Sequence, residues 1–204
     1  MAYCTIDDLK AFGYTFKDGD ETFISQLCDA ATARVDAYCH QHFTFTAGAE
    51  EKHRVRIRDG YVLIFPKNLV VRAINSVEFF NPLGRSPYIV TNPTWLENDA
   101  AIVAKTNAPV GADMIVTLNY DYGYDVIPAE LTQAAAFMCL PIVDDYQIAA
   151  DAGISGLKSL QQGKFRIERG DISSSTQYNE QGYPITSTTI LDGNGYVRNR
   201  GDYL

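Results

Sequence analysis

Two absences narrow the field at once. No apolar run approaches the roughly 20 residues that a helix needs to cross a bilayer. The first residues also lack a basic stretch followed by an apolar one, so no secretory signal is visible. The chain is therefore expected to be made and folded in the cytoplasm. Positive charge is in deficit as well, with 17 Lys and Arg against 25 Asp and Glu and a net charge of −8. That balance argues against a protein that grips nucleic acid by its phosphates. It leaves room for a surface that nucleic acid passes without sticking.

Signs of chemistry are equally sparse. The four cysteines, Cys4, Cys28, Cys39 and Cys139, are far apart and in no metal-type spacing. Cys28 and Cys39 share a predicted helix face but lie about 16 Å apart along it, from a rise of ~1.5 Å per residue, beyond disulfide reach. Buried free thiols are expected. Cys39, His40 and His42 resemble a metal cluster, yet at a helix end they splay apart and no second cluster completes a tetrahedral set. No metal and no cofactor is expected. There is no Gly-x-Ser-x-Gly elbow, no His-Glu-x-x-His and no dinucleotide fingerprint. Around Gly163 and Lys164, a phosphate loop would need glycine where Lys158 stands and Ser or Thr where Phe165 stands. The adjacent acids Glu50–Glu51 and Asp144–Asp145 do not face each other on a helix. No catalytic residue is nominated, and a non-enzymatic protein is expected.

What is present is a globular chain of 204 residues, 46% hydrophobic, long enough for one sizeable core or one domain plus an arm. Thirteen tyrosines are many for this length. They suit protein–protein contacts or the lining of a small mixed core, and both uses stay open. Thr5 and Asp8 form a capping signal for a short helix ending near Gly13. A longer helix from after Asp20 to about His40 carries Ile24, Leu27, Cys28, Ala31, Val35, Tyr38 and Cys39 on one stripe.

From about Glu50 to Tyr122 the pattern switches to strands. Val55 and Ile57 alternate with Arg54, Arg56 and Arg58, and Asp59-Gly60 turns the chain back into Tyr61–Phe65. The arginine row is the one concentrated basic face: a solvated strand face, or a surface for an acidic neighbouring subunit. Strands are also expected over Val70–Phe80, in shorter stretches around Tyr88–Val90, Trp95 and Ala101–Lys105, and over Met114–Tyr122. In the last, Met114, Val116, Leu118, Tyr120 and Tyr122 share a face. Gly123 is free to take an unusual backbone angle at the exit. Pro128 and Glu130 suit the start of a third helix, which Pro141 should kink or stop, with a helical continuation expected through Val143–Ala150. Lys164–Glu168 alternates like a strand. After Asp171 the composition turns to Ser, Thr, Asn, Gly and Tyr with no helical stripe, as in an arm that orders only against a partner.

The corner Tyr120-x-x-Gly123-Tyr124…Ile127-Pro128-x-x-Leu131-x-x-Ala134 resembles that of the head–tail connector (adaptor, head-completion) proteins of long-tailed bacteriophages and prophages. Three further segments are similar to strings of that family in the same order: Thr5–Leu9 with Val35–Phe43, Val70–Val77, and Gly163–Ser175. The resemblance covers roughly residues 1–175.

The resemblance implies an α+β protein: a small helical bundle, with an inserted antiparallel β-domain and an extended C-terminal arm. Placed on this chain, the divisions are a helical hairpin (1–49), a β-rich insert (50–124), a helix completing the bundle (125–160), and a strand with the arm (161–204). The resemblance further implies a structural virion protein at the head–tail interface, made in the host cytoplasm. Its subunits would form a ring, a dodecamer in the family, below the portal protein. The other side of the ring would receive a stopper or tail protein, and DNA would pass through the lumen without specific binding. Phe165, Ile167, Tyr178, Tyr183, Tyr196 and Tyr203 are the residues expected to anchor the arm on a neighbour or on the portal. The alternatives are another completion protein of the tail-terminator type, and a virion-associated hydrolase using buried carboxylates that only folding would bring together.

Overall fold

The computed structural model describes residues 2–81, 88–151 and 177–197. Among them, helices and two small antiparallel sheets give an α+β protein. The helices are α1 (Ile6–Ala11), α2 (Glu21–Cys39), α3 (Ala129–Asp151) and α4 (Ile185–Gly193); the strands are β1 (Thr46–Arg56), β2 (Tyr61–Ile64), β3 (Val71–Phe79), β4 (Val90–Leu96), β5 (Ala101–Thr106) and β6 (Asp113–Tyr122). The chain divides into a helical unit, Met1–Cys39 with Pro128–Val197, and a β unit at His40–Ile127. The boundaries expected at 49/50 and 124/125 move to the last residue of α2 and to Pro128.

In the helical unit, α1 starts as its sequence dictates. The Thr5 hydroxyl accepts from the Asp8 N–H, and the Asp8 carboxylate accepts from the Thr5 N–H. α2 buries Ile24, Leu27, Cys28, Ala31, Val35 and Cys39, the stripe its spacing predicts. α3 buries Leu131, Ala134, Ala135, Ala136, Met138, Cys139 and Val143. It does not stop at Pro141 but runs on to Asp151. One missing backbone bond is outweighed by apolar residues on both sides of the proline that face the same core.

The C-terminal segment is a correction. Residues 185–193 do not form an extended arm but the helix α4, packed on α3. Leu191 is fully buried, and the buried Ser187 hydroxyl donates to the Ala134 carbonyl at 3.0 Å. The composition misleads because Ser and Thr here satisfy their hydroxyls on helical carbonyls, as Thr188 does on Ile185 at 3.0 Å. The strand expected at Lys164–Glu168 lies outside the described residues.

The β unit holds two three-stranded sheets, ordered β1-β6-β3 and β2-β5-β4. One core draws on both: Val55, Val77, Phe79, Val116, Leu118 and Tyr120 from the first, Val62, Ile64, Ile102 and Ala104 from the second. Asp59 and Gly60 form the expected tight turn, both at positive φ (50° and 75°), as a type I′ turn requires. Its flanking strands, however, do not make a two-stranded hairpin. β1 pairs along its length with β6, and β2 with β5, so the turn passes the chain from one sheet to the other.

Gly123 closes the β unit. Its φ is +91°, and a Cβ there would sit 2.4 Å from the Thr44 carbonyl oxygen. Both conformation and space require glycine. The tight approach is what lets the Tyr124 N–H donate to Phe43 at 2.7 Å, and the Phe45 N–H to Tyr124 at 3.0 Å.

Candidate functional site

The outer face of the first sheet is an exposed surface of mixed character. The register sets Lys52 opposite Thr117 and Arg54 opposite Ile115, and the Phe80 N–H donates to the Ile115 carbonyl at 2.8 Å. Ile115 and Phe80 are 45% and 42% exposed. The Lys52 ammonium lies 4.2 Å above the Phe80 ring, a cation–π arrangement. Arg54, Arg56 and Arg58 are all exposed, while Val55 and Ile57 point inward. Arg54 reaches Asp113 at 3.6 Å, a solvent-exposed pair contributing ~0–1 kcal/mol. The result is a small apolar strip, Ile115 with Phe80, bordered by Lys52, Arg54 and Arg56 on β1 and by the exposed acids Glu78 and Asp113. The arginine row is legible in the sequence; Ile115 and Phe80 beside it become visible only once β6 is paired.

Charge is unevenly shared between the units. Residues 1–39 and 128–197 carry 15 acidic and 7 basic side chains, a net −8, whereas residues 40–127 carry 9 and 8, a net −1. The remaining +1 belongs to residues 198–204.

Of the residues expected to anchor an arm on a partner, Tyr183 is engaged within the chain. Its ring meets Tyr38 edge-on at 5.2 Å, and the Arg34 guanidinium lies 5.5 Å from its centroid. Tyr38 in turn donates to Asp192 on α4. Tyr196 is half-buried just past α4, with its N–H donating to Leu191. Tyr178 stays exposed, as does Ile185 nearby. Phe165, Ile167 and Tyr203 lie outside the described residues.

A polar network that the sequence did not reveal sits behind the first sheet. The Tyr120 hydroxyl donates to Glu51 at 2.6 Å and accepts from the Asn68 N–H at 3.2 Å. Glu51 also accepts from the Lys67 N–H at 2.9 Å and lies 2.9 Å from His53 Nε2. Asn68 accepts from the His42 N–H, and Gln41 accepts from the Leu69 N–H. Burial alone would raise the Glu51 carboxyl. The bonds from His53, Tyr120 and Lys67 outweigh it and hold the group below its ordinary range. Burial, with Glu51 beside it, pushes the Tyr120 phenol up, so it remains a donor. The network pins the 65–70 loop in place, which accounts for Gln41 and Asn68 being buried polar residues.

In the helical unit, folding gathers three of the four cysteines. Cys4 precedes α1, Cys28 lies on α2 and Cys139 on α3, and their sulfurs all lie within 4.8 Å of one another. All three are buried. Cys4 and Cys139 stand 3.9 Å apart, within hydrogen-bonding reach of each other, and the neighbouring thiols together with burial push both up. Positions 4, 28 and 139 gave no spacing signal because the convergence is tertiary. Cys39 stays apart, and burial pushes its thiol up to about 12. Among the described residues this trio is the one His/Cys/Asp/Glu group arranged to hold a metal ion.

No protein-family model and no curated protein matches the chain. Among the described residues, no helix is long and apolar enough to cross a membrane.

Proposed function

We propose that the chain is a structural subunit of a phage head–tail joint: an adaptor that assembles into a ring, docks on the portal, receives the stopper or tail, and continues the DNA channel. The observation carrying this reading is the pairing of two unlike surfaces on one subunit. One is the apolar strip of Ile115 and Phe80 on the β unit, with Arg54 and Arg56 beside it on β1. The other is a helical unit with a net charge of −8. Complementary patches on one subunit make a head-to-tail contact, and such contacts form a ring where the rotation between subunits closes. The acidic balance also suits a lumen through which DNA slides. The order of elements supports the same reading, with a capped short helix, a long helix, a β insert left through the Gly123 corner, and a helix opening after Pro128.

The portal contact falls to the exposed part of the C-terminal segment, Tyr178 and Ile185, together with the residues beyond the described ones. Removing residues 171–204 outright would strip Leu191 and Ser187 from the helical core, so surface substitutions are the cleaner probe. The double reversal Arg54→Glu, Arg56→Glu should leave the monomer folded by circular dichroism and abolish ring assembly. Rings forming as well in the double variant as in the wild type would refute the interface.

A further inference from the structure

We propose that Cys4, Cys28 and Cys139 form a structural binding site for one thiophilic metal ion, zinc(II), that clasps the N-terminal segment to α2 and α3. This goes beyond the ring-subunit reading and does not depend on it.

The geometry is close to what the ion demands. Zinc–sulfur bonds of ~2.3 Å in a tetrahedral arrangement space the sulfurs about 3.8 Å apart. Cys4 and Cys139 already stand at 3.9 Å, and all three sulfurs lie within 4.8 Å. A shift of about 1 Å or less at Cys28 therefore completes a three-sulfur face. The Leu27 carbonyl oxygen, 3.8 Å from the Cys139 sulfur, supplies an oxygen donor at the rim. The fourth position falls to that carbonyl or to a water.

Packing alone is a weaker account of the trio. A buried thiol behaves as a small hydrophobe and has no need of another thiol; Cys39, buried by itself, is the example within this chain. The three clustered sulfurs instead come from three separate stretches of sequence and turn toward one point. The N-terminal segment is also held at its neighbouring residue. The Tyr3 N–H donates to the Thr32 hydroxyl at 2.8 Å, and the Tyr3 hydroxyl donates to Asp36. Cys4 is thereby placed against α2. Binding replaces three S–H protons, released to solvent, with three zinc–thiolate bonds, and leaves a net charge of −1 in the site.

The test uses the full chain, purified under reducing conditions and stripped of metal, then titrated with cobalt(II) and zinc(II). The expected result is one cobalt per chain, with thiolate-to-metal charge transfer and the strong visible bands of a tetrahedral site. Zinc should displace the cobalt stoichiometrically and raise the melting temperature by several degrees. The Cys39→Ala variant should behave as wild type, and Cys139→Ala should lose the charge-transfer band. A folded wild-type chain without charge-transfer absorption under saturating cobalt overturns the proposal. So does a band that survives Cys139→Ala, or one lost in Cys39→Ala. The wild-type titration is decisive even where a variant fails to fold, and it is independent of ring assembly.

Discussion

Single residues hold the β unit at two points, and they differ in how far the sequence foretold them. Gly123 was foretold as a residue free to take an unusual backbone angle, and the structure adds the Thr44 carbonyl against which no side chain fits. Gly123→Ala combines a strained φ with a backbone clash and should cost about 3 kcal/mol or more in denaturant unfolding. Tyr120 was expected on the apolar face, and it is there; its hydroxyl's partners were not foreseeable, since Glu51 and Asn68 are 69 and 52 residues away in sequence. Tyr120→Phe leaves the Asn68 N–H and Glu51 each short of a partner and should cost roughly 1–3 kcal/mol. The Glu51 carboxyl is lowered in the folded state. Its stabilisation is therefore full above the ordinary carboxylate range and is lost as pH falls through the lowered value. Melting temperatures measured against pH should show the wild type converging on Tyr120→Phe in acid. A gap that stays constant down to pH ~2 would contradict this role for Glu51.

At the scale of elements, periodicity carried most of the reading and tertiary context the remainder. The capping box at Thr5, the α2 stripe and the alternation in β6 were legible because each is written in neighbouring residues. The pairing of β1 with β6 rather than β2 was not, since strand partners 57 or more positions apart leave no local mark. α4 was missed for a different reason. Its apolar face is reduced to Leu191 with small polar residues beside it, and its stability comes from docking on α3. Leu191→Ala should therefore cost about 2–5 kcal/mol. It should also release residues 185–193 to fast amide exchange while β6 stays protected. Unchanged protection in α4 would show that docking is not what holds it.

Taken whole, the molecule is two units of unequal charge on one chain. The helical unit carries −8, and the β unit is nearly neutral, with Lys52, Arg54 and Arg56 along one exposed sheet face. The sequence disclosed the arginine row and the acidic total; the division between units emerged only when the chain proved to cross over at Cys39 and Pro128. The apolar residues beside the cations, Ile115 and Phe80, are what a ring contact would cover. The most direct measurement is electron microscopy of the purified chain mixed with the portal protein that the proposed role requires. The account predicts ring density of twelve-fold symmetry seated below the portal. A correctly folded chain that leaves the portal bare and forms no ring would contradict it.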